Sequence, residues 1–370
     1  MKDSQSSRFR PFRVVDKIRE SATITSFHLE PVDRQDWQPF EAGQFLILRV
    51  PEGEGAGHVI RNYTVSSAPQ DEGRYRITVK REGAPSEGIP EGLSSVWLHD
   101  KIAAGDEIAV QGPRGGFKLD VESKRPVLLL SGGVGLTPMI SMLKVLAQTS
   151  DRPVWFIHAC DSREVHALHG EVAALAAQRE GVHVHYCYRN ATDEDRAEGR
   201  HHSEGLLTRE TLQALLPLDD YEAYLCGPPP FMKAVYGLLT GLGIAKDRIA
   251  YEFFGPASLL GEDVPASEVS EAVTEVVTAV APDAGEGTQI VLGRSGRSIP
   301  WNDKAESLLS LLEDAGLKPE FSCRAGVCGT CVQGLVSGEV DYFEEPLDEP
   351  EAGQVLLCCC RPKTSVVLDL

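Results

Sequence analysis

Positive charge is scarce in this chain: 36 Lys and Arg stand against 55 Asp and Glu, a net charge of −19 over 370 residues. Sequence-independent grip on nucleic acid or anionic lipid needs a Lys/Arg surplus, so the balance argues against both. A basic patch on a protein partner fits it better. Long apolar runs are missing as well, none approaching the roughly 18–20 residues that a bilayer span needs. The opening MKDSQSSRFRP has no apolar core of a signal peptide, which predicts a cytoplasmic protein. Tryptophan is limited to Trp37, Trp97, Trp155 and Trp301, too scattered for a base-stacking platform. Cysteine is absent before Cys160.

What is present is an ordinary globular composition, 42% hydrophobic and 25% charged, in a length that suits two to three domains. Cys160, Cys187 and Cys226 are dispersed, whereas Cys323, Cys328, Cys331, Cys358, Cys359 and Cys360 crowd the C-terminal end. An odd total without an export signal does not read as a disulfide framework, and a dense thiol group in a reducing compartment more often binds metal.

Four stretches follow from the pattern, with boundaries at 9–119, 120–255, 256–287 and 288–370. In the first, FLILRV (45–50), RNYTVSS (61–67) and RYRITVK (74–80) are short β-favouring runs between Gly/Pro/Glu clusters, suggesting a small barrel or sandwich. In the second, PVLLL, VWFIHA (154–159), VHVHYCYR (182–189) and EAYLC (222–226) alternate with helix-length segments such as 164–178, which predicts α/β units on a parallel sheet. The third carries Glu262, Asp263, Glu268, Glu271, Glu275, Asp283 and Glu286 with no Lys or Arg, and reads as an acidic linker with room for a short helix. The fourth opens with a hairpin around Ser295-Gly296. A helix follows, capped by Asn302 or Asp303 and stopped at Gly316.

Cys323, Cys328 and Cys331 form C-x4-C-x2-C, with a further cysteine group at 358–360. That is the ligand spacing of a plant-type [2Fe–2S] centre. Zinc ribbons, the competing reading, favour paired C-x2-C knuckles. Upstream, SGGVGLTPM sits between a strand and a helix: Gly132, Gly133 and Gly135 permit close approach to a pyrophosphate, Thr137 can cap the helix and Pro138 suits its first turn. This is not the G-x-G-x-x-G fingerprint, and alone it is equally a tight βα turn. Cys226-Gly227-Pro228 repeats the geometry, so the two turns could bracket a dinucleotide. In the first stretch, Arg61-Asn62-Tyr63-Thr64 sets Arg61 and Tyr63 on one strand face, a guanidinium that can pair with phosphate beside a ring that can cover a flavin face, though alone it is equally a cross-strand pair.

Taken in order, RNYT, GLSSVWLHD, GPRGGF, SGGVGLTPM, YLCGPPPFM and YEFFGP resemble the ferredoxin–NADP reductase superfamily over residues 9–255, and 288–370 resembles a plant-type ferredoxin domain. The likeness is to the reductase half of flavohaemoglobins and to oxygenase reductases. With eight residues before Phe9, no globin is expected. The resemblance implies a multidomain fold: an antiparallel β-barrel for FAD, an α/β parallel-sheet NAD(P) domain and an α+β β-grasp ferredoxin.

It further implies that Arg61, Asn62, Tyr63 and Thr64 hold the flavin and its phosphates, with Ser94 and Ser95 at the pyrophosphate. The 132–138 turn, Gly227 and Pro228 would hold NADH or NADPH. Cys226 would lie at the nicotinamide, and Glu252 and Phe254 near the isoalloxazine, with Cys226 and Glu252 as the catalytic pair. Such domains place the last cluster ligand four residues before a proline, and Pro362 then selects Cys358. GLSSVW favours FAD, with FMN the alternative.

Electrons would pass from NAD(P)H through flavin and cluster to an acceptor protein. The leading acceptor is the terminal oxygenase of a Rieske-type system. A P450, hybrid-cluster or haem protein is the alternative, and a non-catalytic redox sensor the last. Glu320, Glu339, Asp341, Glu344, Glu345, Asp348, Glu349, Glu351 and Asp369, opposed only by Arg324, Arg361 and Lys363, form either a docking face or a solvated surface. A monomer is expected. Arg163 could meet a 2′-phosphate while Asp161 repels one, which leans towards NADH. His183 with His185, His201 with His202, and His166 with His169 lack an evident third metal ligand and read as surface or edge-strand residues.

Overall fold

A computed structural model describes residues 9–51, 57–84, 91–254, 288–302, 305–317, 319–321, 326, 329, 331–343, 346 and 349–370. The expected linker at 256–287, together with Cys323 and Cys328, lies outside the described residues. Residues 9–254 pack in one compact unit, and most of the described residues from 288 onward in a second.

The first unit begins with β1 (Arg10–Arg19), β2 (Ile24–Pro31), β3 (Phe45–Pro51), β4 (His58–Thr64), β5 (Tyr75–Lys80) and β6 (Glu107–Arg114). They form one antiparallel sheet in the order β4-β3-β6-β1-β2-β5. Its edges meet where Val65, just past β4, bridges Ile77 on β5 and the Ser66 amide donates to the Arg76 carbonyl at 2.7 Å. Curling the sheet in this way turns the period-2 apolar residues inward: Val14, Phe27, Leu29, Leu46, Leu48, Val50 and Ile77 are all fully buried. Helix α1 (Leu93–Lys101) adds Leu98 to that core. Its C-terminal carbonyls, which lack partners within the helix, are met by the Lys17 ammonium, which donates to His99 and Ile102 at 2.5 and 2.6 Å.

From Val127 the rhythm changes to α/β: β7 (Val127–Gly132), α2 (Leu136–Thr149), β8 (Val154–Cys160), α3 (His169–Ala176), β9 (Val182–Tyr188), α4 (Asp193–Glu198), β10 (Ser203–Glu204), α5 (Arg209–Leu215), β11 (Glu222–Gly227), α6 (Pro229–Gly241) and β12 (Ile249–Phe253). All pairings are parallel, in the order β10-β9-β8-β7-β11-β12. The central strand β7 is buried along its whole length, the usual state of a strand covered on both faces. At the amino ends of the strands, Arg152 joins Glu222 at 2.7 Å and the Asp120 and Arg125 carbonyls at 2.8 and 2.6 Å. Helix α3 is shorter than the 164–178 expected. Leu168 takes a left-handed φ of 58°, so the helix can start only after it, and 163–165 make a single 3₁₀ turn instead.

The second unit has β13 (Gln289–Leu292), β14 (Ser298–Pro300), α7 (Leu308–Asp314), β15 (Val332–Ser337), β16 (Val340–Tyr342), β17 (Gln354–Leu356), β18 (Cys360–Pro362) and β19 (Val366–Leu368). Its main sheet runs β14-β13-β19-β15-β17, with β13 and β19 parallel, and β16 and β18 pair separately. The hairpin turns through Gly296 at φ +67°, as its sequence predicts. The α7 cap corrects the expectation of Asn302 or Asp303. Ser307 accepts from the Ser310 amide and Ser310 reciprocates, so the helix begins at Leu308, while Gly316 ends it at φ +82°.

Candidate functional site

Strand order reverses at β7: β8, β9 and β10 build outward on one side, β11 and β12 on the other. The crevice beyond the strand carboxyl ends at such a point is where open α/β sheets bind ligands. Both expected turns lie there, Ser131-Gly132 ending β7 and Cys226-Gly227 ending β11, with Cys226 paired to Ser131 and Glu252 in the ladders.

The glycines divide by role. A Cβ on Gly135 would press into the Cys226 carbonyl and lie 2.7 Å from the Gly227 nitrogen. On Gly132 it would reach 2.8 Å from the Phe231 ring, and on Gly227 2.6 Å. These three let the two turns interlock. Gly133, at φ +53°, faces open space and is the one exposed to an incoming group. Pro138 sits in the first turn of α2, but Thr137 is not its cap. Gly135 holds that position without a side-chain bond, and the Thr137 hydroxyl donates to the Val134 carbonyl at 3.2 Å. The α2 amides therefore keep their capacity for an anion. Helix α6 likewise starts after Pro228 with no side-chain cap.

The barrel meets this crevice through β4. Thr64 Oγ1 donates to Glu252 Oε2 at 3.4 Å, placing three expected residues (Thr64, Glu252 and Cys226) side by side. Burial pushes the Glu252 carboxyl up to about 8, against the Thr64 hydrogen bond. Burial, and then the Glu252 charge, raises the Cys226 thiol well above its ordinary value, so it stays protonated and is no nucleophile. One residue earlier, Tyr63 Oη donates to Ser94 Oγ at 2.8 Å, and burial lifts its phenol to about 12. Ser95 Oγ is held by the Glu82 amide and the Gly92 carbonyl at 3.1 and 3.0 Å. Arg61 is exposed, Asn62 half-buried and Phe254 exposed.

A second junction was not legible in the sequence. Glu171, in the first turn of α3, is clamped by Arg76 of the barrel at 2.8 Å and Lys144 of α2 at 2.6 Å. Arg76 also donates to the Ser66 carbonyl at 2.6 Å, and Ser141 to the Ser67 carbonyl at 2.8 Å. Burial works to raise the Glu171 carboxyl, but the two cations outweigh it and hold it below its ordinary value. These partners lie far apart in the chain, so no spacing announces them.

In the second unit, the β15–β17 ladder pairs Val332 with Leu356, and the Leu357 amide donates to the Cys331 carbonyl at 3.2 Å. The segments bearing Cys331 and Cys358 are thus joined, both thiols buried. Cys359 donates its thiol to the Leu356 carbonyl, and burial raises the Cys360 thiol.

The expectation of exposed histidines is corrected in part. His166 is buried, its Nδ1 2.8 Å from Tyr188 Oη, and its ring packs against His158 and Tyr186. Burial holds it down to about 2, so it is neutral. His185 is buried against Ser203, while His183 is exposed and stacks on Trp155.

Three family models match in succession: an oxidoreductase FAD-binding domain at 11–119, an oxidoreductase NAD-binding domain at 129–236 and a 2Fe-2S iron-sulfur cluster binding domain at 290–363. The FAD/NAD-binding domain of nitric oxide dioxygenase from Vibrio cholerae is 37% identical, with a TM-score of 0.59 over 67% of this chain and 100% of that one. This chain belongs to the ferredoxin–NADP reductase superfamily. Phthalate dioxygenase reductase is 27% identical over 98% of both chains, with a TM-score of 0.56. A flavohemoprotein of Bacillus thuringiensis is 43% identical over 254 residues, 68% of this chain and 62% of its own length. The chain therefore spans less than two thirds of that curated relative.

As a reductase of this superfamily the chain is an oxidoreductase with FAD-binding, NAD-binding and [2Fe–2S] domains. The residues present fit those groups. On the flavin side there is an exposed guanidinium at Arg61, an aromatic at Tyr63 and a helix, α1, that starts at Gly92 without a side-chain cap. On the nucleotide side stand Gly133 and the uncapped α2. For the cluster, Cys331 and Cys358 supply buried sulfur donors from adjoining segments. No helix among the described residues is long and apolar enough to cross a membrane.

Proposed function

We propose that this reductase delivers electrons from NAD(P)H to a separate protein, the terminal oxygenase of a Rieske-type multicomponent system. The observation that carries the reading is likeness to phthalate dioxygenase reductase along 98% of both chains, the ferredoxin domain included. A haem protein is the second reading, favoured by the 43% identity of the reductase half to a flavohemoprotein. A thiolate-rich site suits the reducing cytoplasm.

When bound, the flavin and the iron–sulfur centre would supply the redox chemistry, conversion of a two-electron hydride donor into single-electron delivery. The chain binds and orients. Arg61 pairs with a flavin phosphate, Tyr63 covers the ring, and Asn62 lies between them on β4. The amino end of α1, with Ser94 and Ser95, meets the pyrophosphate. Gly132, Gly133, Gly135, Thr137 and Pro138 shape the coenzyme turn, closed by Gly227 and Pro228. Cys226, neutral and buried, packs at the nicotinamide without taking a proton. Glu252 holds a proton at neutral pH beside Thr64 Oγ1, and Phe254 flanks it. Cys323, Cys328, Cys331 and Cys358 hold the iron.

Cys331→Ser tests this order. NAD(P)H should still bleach the flavin absorbance at the parental rate, while reduction of cytochrome c, a one-electron acceptor, is lost. If cytochrome c reduction survives, electrons leave from somewhere other than the thiolate site. Purified Rieske oxygenases and haem proteins, offered in turn, then separate the two acceptor readings.

A further inference from the structure

The carboxyl ends of β8 and β9 carry a set of charges that the electron-transfer reading does not use. The Asp161 carboxylate, just past β8, meets Arg189, just past β9, at 2.7 Å. The Arg189 amide donates to the Cys160 carbonyl at 2.9 Å and the Asn190 amide to the Asp161 carbonyl at 2.8 Å, pinning the two strand ends together. Beside them Arg163 is held from both sides, by Glu194 and Glu198 of α4, each at 2.7 Å. Glu198 also takes Arg200 at 2.6 Å. A cleft of about 700 Å³ opens at this edge, lined by Arg163, His166, Tyr188 and Arg200 among others.

The direction in which a dinucleotide lies fixes what these charges would meet. Thr64 of the barrel touches Glu252 on β12, so the hydride-donating end belongs on the β11–β12 side of β7. With its pyrophosphate at the β7 turn, the adenosine half must extend the other way, over the ends of β8 and β9. A carboxylate there accepts hydrogen bonds from a ribose diol, whereas a 2′-phosphate needs an unoccupied guanidinium. The near guanidiniums, Arg163, Arg189 and Arg200, are all already engaged by carboxylates.

We infer that Asp161, Glu194 and Glu198 make this reductase selective for NADH, by accepting from the ribose and by occupying the three arginines that a 2′-phosphate would require. The inference rests on the hydride-donor reading above. A phosphate arriving at this edge must displace a carboxylate from each arginine while facing three negative charges.

The test is the ratio of kcat/KM for NADPH to that for NADH, measured by ferricyanide reduction with the full chain loaded with its cofactors. The parent should favour NADH. In Asp161→Asn/Glu194→Gln/Glu198→Gln the ratio should rise about tenfold or more, one charge-assisted hydrogen bond's worth. Adding Arg163→Ala, Arg189→Ala and Arg200→Ala should return the gain, which relief of repulsion alone would not. Should the triple variant fold poorly, calorimetry on the parent decides: 2′,5′-ADP should bind no tighter than 5′-ADP. A parent that prefers NADPH, a ratio unmoved in the triple variant, a gain that survives loss of the arginines or tighter binding of 2′,5′-ADP overturns the inference. Failure of both coenzymes to reduce the flavin instead overturns the electron-transfer reading beneath it.

Discussion

Replacing Gly135 by alanine should break the joint between the turns that follow β7 and β11, and two opposing effects set the sign. Gly135 sits at φ −60° and ψ −4°, a conformation alanine adopts without strain. By backbone entropy alone the change would stabilise the fold by about 0.4–1 kcal/mol. The added methyl, however, would stand against the Cys226 carbonyl and 2.7 Å from the Gly227 nitrogen. Main-chain atoms in a ladder cannot rotate away, so the upper part of the overpacking range, about 2–3 kcal/mol, applies. The net is a loss of about 1–2.5 kcal/mol, or roughly 2–10 °C in Tm for a unit of this size. Gly237→Ala is the control. It lies within α6 with nothing within 4 Å of a new Cβ, so Tm should rise, by about 0.5–1 kcal/mol of added stability. Circular dichroism melts decide the matter, with the KM for NADH reading the turn itself, which should increase only for Gly135→Ala. A Gly135→Ala protein that melts with or above the parent would refute the interlock.

Glu252 should leave a signature in pH. Its carboxyl titrates near 8 in the fold against 4.5 unfolded, so the fold favours the neutral form. The Glu252 share of stability is then fully present below pH 4.5 and declines as pH rises towards 8. Glu252→Gln should flatten that decline in melts across the window, and parallel profiles would contradict the assignment. Glu171→Gln leaves Arg76 and Lys144 with no carboxylate between them. The expected cost is about 3 kcal/mol in urea unfolding, the low end for a broken buried pair because Glu171 is 27% exposed. Here the sign reverses: the Glu171 carboxyl is held low, so its contribution persists above pH 4.5 and fades in acid, in the parent but not in the variant. Cys358→Ser should abolish the visible absorbance of the iron centre, while Cys359→Ser, whose thiol is bonded to the Leu356 carbonyl, should retain it.

Strands carried by dense β-branched and aromatic runs are the legible part of this fold. FLILRV and RYRITVK become β3 and β5 within a residue or two, and the four apolar runs after Arg125 become β7, β8, β9 and β11. The turns after β7 and β11 were legible because glycine and proline act locally. Which glycine faces outward was not, because the interlock of Gly135 with Cys226 joins the turn after β7 to the end of β11. The α3 and α7 starts moved for similar reasons. Leu168 is bent into a conformation its own propensity disfavours, and Ser307 outcompeted earlier caps through a reciprocal bond with Ser310. His166 looks like a surface histidine until Tyr186 and Tyr188, on β9, fold over it.

Among the described residues β12 pairs on one side only, with β11, and it carries Glu252. Anyone dividing the gene to express the flavin half alone inherits that vulnerability. A stop codon before Ile249 would strip the proton-holding carboxyl from the crevice and leave β11 as a fresh, sticky sheet margin inviting aggregation. The serviceable cut lies beyond Phe254, where the last rung of the parallel ladder has already been made.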